Sequence, residues 1–195
     1  MSGIKFFRGI VPIMSLIMIF MCIASTYQIS AKTIGTQLVI DTPNGRTIRC
    51  PGNHFYPHVT VCTGTNSGDI IVEPLMGGTI FGFKGDDRFR GLLGSAVVFG
   101  GDGDDVIQGG NGTATLFGNE GNDVIIGSAG PNFVYGGGAS FLYGGKGNDQ
   151  LIGGFDYEVM EGGPGSDLFV CKGKSDLIVD FNAMEDKKEG NCILL

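Results

Sequence analysis

A nine-residue period in the middle of the chain limits its possible folds more than any other feature. From Gly100 to Ile126 three consecutive units read Gly-Gly-Asp-Gly-Asp-Asp-Val-Ile-Gln, Gly-Gly-Asn-Gly-Thr-Ala-Thr-Leu-Phe and Gly-Asn-Glu-Gly-Asn-Asp-Val-Ile-Ile. Their shared frame is Gly-Gly-x-Gly-x-Asp-x-U-x, with U a large apolar residue. The glycines allow a tight turn with positive φ, which residues bearing a Cβ tolerate poorly. The last three residues are a short strand whose middle side chain points one way and its neighbours the other. A unit this short cannot bury its apolar side chain alone, so successive units must stack.

The register holds without a gap from Gly64 to Tyr135, with units beginning at 64, 73, 82, 91, 100, 109, 118 and 127. An eight-residue unit covers 136–143, and units beginning at 144, 153 and 162 run on to Val170. The inward position of these twelve units holds Ile71, Ile80, Phe89, Val98, Ile107, Leu116, Ile125, Val134, Leu142, Leu151, Met160 and Phe169. Every one is apolar, as the filling of a stack requires.

Units 100, 144 and 162 carry the frame in full, and units 82 and 118 each lack one glycine. These units resemble the RTX, or haemolysin-type, calcium-binding nonapeptide repeats, and the segment Asp176-Leu177-Ile178-Val179-Asp180-Phe181 resembles the one that commonly closes them. The resemblance implies an all-β fold, a parallel β-roll of about six two-strand turns in which two units complete one turn. It covers 64–170, with 32–63 expected as an N-terminal cap and 171–195 as a C-terminal cap. Within the first cap, Gln37 to Ile40 and Thr47 to Cys50 are β-rich, and Pro43-Asn44-Gly45 between them is a turn signal. A stack needs such a plug because its first strand would otherwise expose an unpaired edge.

Composition supports a cation as partner. The chain has 36 glycines but only 7 prolines, and 20 Asp+Glu against 13 Lys+Arg. Nucleic acid is excluded as a partner because phosphate binding needs clustered positive charge. Calcium takes about 6–8 oxygen ligands from carboxylates and backbone carbonyls, and a glycine turn followed by Asp supplies both. The sixth position holds Asp69, Asp87, Asp105 and Asp123 in units 64, 82, 100 and 118, while the units between hold Gly78, Ala96, Ala114 and Asn132. Two units, one full turn of the roll, separate each of the four from the next, which places them on one side. Asp149 and Asp167 follow the eight-residue unit, and counting units puts them on the opposite side, so the ladder is expected to change sides near 136–143. Metal ions are expected between loops 82 and 100, 100 and 118, and 144 and 162. The candidate ligands are those aspartates with Asp86 and Asp104, and the turn glycines Gly101, Gly103, Gly121, Gly145, Gly147, Gly163 and Gly165. Asn122 and Asn148 add polarity to their loops, and Ser67 in place of a glycine weakens loop 64.

The ninth positions of the Asp-poor units are Phe81, Phe99, Phe117 and Tyr135, again two units apart. With strands about 4.8 Å apart their rings can form an outward ladder. Such a stripe either stabilises the turns beneath it or presents an apolar face to a protein or carbohydrate partner at the cell surface.

The segment from Met1 to Ala24 reads as an export signal: Lys5 and Arg8, then an uncharged apolar run from Ile10 to Ala24, with cleavage as late as Ala31 as a second choice. A membrane anchor is the alternative if this segment is retained. Loss of Cys22 with the leader leaves Cys50, Cys62, Cys171 and Cys192, which allow three pairings. Six turns make a rod about 29 Å long, and bridged Cα atoms must lie within about 7 Å. Each end of the rod is flanked by one pair, so Cys50–Cys62 and Cys171–Cys192 are expected. A zinc site with His54 and His58 competes for the first pair, but an oxidising compartment favours the disulfides.

Enzyme signatures are missing. His54 and His58 have metalloprotease spacing without the general-base Glu, and Pro57 interrupts any helix there. No Gly-x-Ser-x-Gly elbow is present. The expected protein is secreted, calcium-binding and without catalytic residues. Asn111-Gly112-Thr113 forms a glycosylation sequon in a tight loop.

Overall fold

The computed structural model describes residues 30–34, 37–42, 45–50, 61–72, 77–91, 94–127, 140–154, 157–173 and 175–195. Among these residues there is no helix, and the strands form two sheets. The first sheet runs in the order β1 (Ser30–Ile34), β2 (Gln37–Thr42), β3 (Gly45–Arg49), β5 (Asp69–Val72) and β7 (Arg88–Arg90). It continues through β9 (Val106–Gln108), β11 (Val124–Ile126), β13 (Gln150–Ile152), β15 (Leu168–Cys171) and β17 (Lys187–Gly190). The second holds β4 (Val61–Thr63), β6 (Gly77–Lys84), β8 (Ser95–Asp102) and β10 (Ala114–Glu120). Next to these come β12 (Ser140–Lys146), β14 (Glu158–Glu161), β16 (Leu177–Ile178) and β18 (Ile193–Leu194). From β3 onward every pairing is parallel and joins strands two apart in sequence. The chain therefore coils as a parallel β-roll of about six turns, one strand per sheet per turn.

The inward positions fill the space between the sheets. Ile71, Phe89, Ile107, Ile125, Leu151 and Phe169 from the first sheet face Ile80, Val98, Leu116, Leu142, Met160 and Ile178 from the second, all of them buried. Identical depth in every coil follows from the register: Ile71 pairs with Phe89, Phe89 with Ile107 and Ile107 with Ile125. Burial of one such side chain stabilises by about 1.5–3 kcal/mol, and a short repeat gains it once per strand.

Both caps are built from strands of the same two sheets. β1, β2 and β3 form an antiparallel meander, with Thr42 opposite Gly45, before β3 joins the roll through Ile48 opposite Ile71. At the far end β16, β17 and β18 add further parallel strands. Disulfides pin each cap, Cys50–Cys62 with Cα atoms 5.5 Å apart and Cys171–Cys192 with Cα atoms 5.4 Å apart. The first bond uses the thiols that a zinc site would need. His54, His58, the leader segment, Pro43, Asn44, Val134 and Tyr135 lie outside the described residues.

One expectation is corrected. The Asp ladder does not change sides near 136–143. Ile125 pairs with Leu151 and Leu116 with Leu142, so one coil takes in the short unit together with two ordinary ones. Three units therefore share that single coil, and the eight-residue unit still places Leu142 in the second sheet, between Leu116 and Met160. The reason is hydrogen bonding: Asp123 donates its backbone N–H to Asp149 Oδ1 at 2.7 Å. A half-turn there would carry Asp149 to the other edge and strand that buried amide, at a cost of about 1–3 kcal/mol.

Candidate metal centre

On one edge of the roll each strand of the second sheet runs through a glycine-rich turn into the next strand of the first. These turns carry the sixth-position aspartates, and Asp69, Asp87, Asp105, Asp123, Asp149 and Asp167 form a single file, each 1–2% exposed. Every member after the first accepts a hydrogen bond on Oδ1 from the backbone N–H of the aspartate one coil before it. The distances are 2.7 Å for Asp69 to Asp87, 2.7 Å for Asp87 to Asp105 and 2.8 Å for Asp105 to Asp123. Beyond the long coil, Asp149 donates to Asp167 at 2.8 Å.

The second carboxylate oxygen has no such partner. Oδ2 of Asp87, Asp105, Asp123, Asp149 and Asp167 is buried without a hydrogen bond. It curls over the first glycine of its own loop, and a Cβ added at Gly100, Gly118, Gly144 or Gly162 would collide with it. A buried, half-satisfied carboxylate resists ionisation. Desolvation pushes Asp87, Asp105 and Asp123 up to about 7 and Asp167 to about 6, against the opposing pull of the backbone N–H; neighbouring carboxylates add to the rise. Asp149 is raised for the same first cause. Desolvation and like charge both disfavour the anion, so a cation seated beside these oxygens would relieve both.

The turn glycines supply the other half of the donor set. Gly101, Gly103, Gly121, Gly145, Gly147, Gly163 and Gly165 all have positive φ. At Gly121 this conformation brings the Cα against the carbonyl of Gly103 in the preceding loop, with no room for a Cβ. Gly103 packs in the same way on Gly85, and Gly147 on Gly121. Carbonyls and carboxylates thus face the gaps between successive loops, the all-oxygen chemistry that a hard cation takes. Among the described residues no three His, Cys, Asp or Glu side chains converge on one point, so backbone oxygens must complete any metal site here.

The fifth positions do other work. Asp104 donates its backbone N–H to Asp86 Oδ1 at 3.0 Å, Asn122 to Asp104 at 2.8 Å, Asn148 to Asn122 at 2.9 Å and Ser166 to Asn148 at 2.8 Å. This outer, exposed rail runs opposite in sense to the inner one: here each side chain reaches forward to the next coil. Asp86 and Asp104 are committed to it by one oxygen each.

The ladder is closed at both ends by residues outside the full repeats. In loop 64, Asp69 Oδ2 takes the N–H and hydroxyl of Thr65 at 2.7 and 2.8 Å, while its Oδ1 is buried without a hydrogen bond. At the other end Asp167 donates its N–H to Asp186 at 3.0 Å, and Asp180 receives those of Gly162 and Gly163 at 3.0 and 2.7 Å. Asp186 escaped the sequence reading because its spacing from Asp167 is one residue off the period. Among the described residues the opposite edge holds buried carboxylates only in its last coils. There Glu158 accepts the N–H of Gly154 at 2.8 Å, and Asp176 accepts that of Glu158 at 3.2 Å.

Two loops keep the glycine conformation without glycine. Phe83 and Asn119 occupy the second position of units 82 and 118, each with φ of 83°. A left-handed backbone costs a residue with a Cβ about 1–2 kcal/mol, with Asn at the mild end. Phe83→Gly is therefore expected to raise stability by about 1 kcal/mol, and Asn119→Gly by less. Thermal unfolding of the two variants would check the order.

The aromatic ladder also differs from expectation in one member. Phe81, Phe99, Phe117 and Tyr143 stack with centroids 5.1, 4.9 and 4.8 Å apart and planes within 9° of parallel. Tyr143 stands where a step of two ordinary units pointed to Tyr135, because the long coil also takes in the short unit.

The family model for the RTX calcium-binding nonapeptide repeat matches the chain in four copies, over residues 81–116, 94–125, 117–140 and 136–169. No curated protein and no solved structure matches the chain.

Proposed function

The chain carries RTX calcium-binding nonapeptide repeats, and from that premise we propose that it is a secreted, non-enzymatic protein whose roll is held together by calcium. Calcium binding is the property that these repeats imply; where the ions sit, and what they do, is read from the ladder. The ions lie between loops 82 and 100, 100 and 118, 118 and 144, and 144 and 162. The third of these gaps exists because the ladder stays on one edge. The observation that carries this reading is the file of buried Oδ2 atoms on Asp87, Asp105, Asp123, Asp149 and Asp167 without a hydrogen-bond partner. Loop 64 differs, since Thr65 occupies Asp69 Oδ2 and the oxygen left buried without a partner there is Oδ1.

Each residue has a stated part. The aspartates supply charge, the turn glycines let carbonyls approach, and the outer rail of Asp86, Asp104, Asn122 and Asn148 holds successive loops in register. Calcium contributes positive charge between them and so stabilises the ionised ladder. Export is supported by the charged and apolar leader and by the two disulfides, which persist in oxidising compartments. Extracellular calcium modules bind with dissociation constants of roughly 0.1–1 mM, within reach of external calcium. Circular dichroism of the purified mature chain tests the proposal. β signal or thermal stability should rise with calcium at millimolar supply and fall again with chelator; a chain unchanged by either would sink it.

A second reading, adhesion or surface assembly through the aromatic ladder, is favoured by Phe83. This side chain is 50% exposed, 6.3 Å from the Phe81 ring, and sits in an unfavourable backbone conformation. Burial does not repay that cost. Replacement of Phe99 and Phe117 by Ser should abolish self-association or partner binding while calcium uptake persists. Loss of stability alone would make the ladder a structural element only.

A further inference from the structure

The sequon Asn111-Gly112-Thr113 stands apart from the calcium chemistry, in the loop between β9 and β10 on the edge opposite the Asp ladder. We propose that Asn111 is a site of N-linked glycosylation, an inference that rests on export of the chain. Acceptor sequons of this type are used on the surface of exported proteins, where x is not proline. Asn111 and Thr113 are both exposed, while Gly112 between them is buried. Gly112 packs on the carbonyl of Gly94 in the preceding coil, where a Cβ would lie 2.5 Å from it. The turn therefore fastens itself to the stack through the glycine and presents the amide and the hydroxyl to solvent together.

The contrast with other asparagines is in hydrogen bonding. Asn122, Asn148 and Asn182 spend their side chains on the backbone of the calcium edge or the closing turn. The Asn111 side chain makes no hydrogen bond among the described residues. A bulky, hydrated glycan there displaces no side-chain hydrogen bond of Asn111 among the described residues. It also lies across the roll from the turns of Asp105 and Asp123, and so leaves the ladder open to calcium.

The donor is a lipid-diphosphate-linked oligosaccharide. The amide nitrogen Nδ2 of Asn111 forms a C–N bond to the anomeric carbon of the first sugar. The C–O bond to the diphosphate breaks, the lipid diphosphate leaves with the electron pair, and one amide proton is lost.

The test is the intact mass of the full chain exported from a eukaryotic secretory host, before and after peptide N-glycosidase. The expected result is a glycan mass that the enzyme removes, with the acceptor asparagine converted to aspartate. Asn111→Gln and Thr113→Ala should abolish that mass and Thr113→Ser retain it, with the calcium midpoint of Asn111→Gln unchanged. Exported chain with the bare polypeptide mass would overturn this inference alone. Chain retained inside the cell would overturn the export reading and this inference together.

Discussion

Asp105→Asn should leave the metal-free roll folded and remove calcium from the gaps on either side of loop 100. Asparagine keeps the shape of the side chain and the Oδ1 acceptor for the Asp87 N–H, a bond of 2.7 Å. It deletes the charge at the oxygen that has no other partner. Without calcium the variant should match or slightly exceed the parent in stability, because a buried charge has gone. With calcium it should lose about 3–5 kcal/mol of the calcium-linked stabilisation, the scale for removing one partner of a buried ion pair. Up to two fewer ions should bind, from the gaps between loops 82 and 100 and between 100 and 118. Asp105→Ala adds a second loss, since the Asp87 amide is then buried without an acceptor at a cost of about 1–3 kcal/mol. That cost appears with or without calcium, so the pair of variants separates charge from hydrogen bond. Calorimetric titration and thermal unfolding would read both. Unchanged calcium stoichiometry in Asp105→Asn would refute the ladder as the binding edge.

Stability should depend on pH in opposite senses with and without calcium. The ladder carboxylates are raised in the folded chain, Asp87, Asp105 and Asp123 from 3.8 to about 7. The metal-free fold thus binds more protons than the unfolded chain over that window. Its stability is complete below about pH 4 and is lost as pH rises through about 7. In chelator the melting temperature should therefore be higher at pH 5 than at pH 8. Calcium requires the ionised form, so protons compete with it. The calcium midpoint should tighten as pH rises from 5 to 8, and the gain in melting temperature on adding calcium should be largest at pH 8. Metal-free unfolding independent of pH across this range would show that the carboxylates are already compensated.

Most of the roll is legible in the chain because its period states both what turns and what is buried. Ile71, Ile80, Phe89 and the rest of the inward file follow from counting nine, and the two disulfides follow from the length of the resulting rod. The sixth-position aspartates are legible for the same reason. What escaped was the one coil that takes in three units. Counting treats every unit as a half-turn, but a strand accepts a new neighbour only where its amides find acceptors. Asp123 finds Asp149, on the far side of the short unit. The outer rail was only half seen: Asp86, Asp104, Asn122 and Asn148 were visible as polar positions. Their bonding direction depends on how far one coil lies from the next.

Within the chain itself lay the choice of a stacked roll, since glycine-permitted turns and an apolar residue at each ninth step leave no other way to bury the side chains. Only the tertiary structure decided that all six aspartates share one edge, that Tyr143 completes the aromatic ladder, and that Thr65 and Asp186 close the carboxylate file. These outcomes are settled between coils, by whether a buried N–H or carboxylate meets its partner in the coil beside it. Local sequence carries the period, and the hydrogen bonds across the stack choose where it is broken.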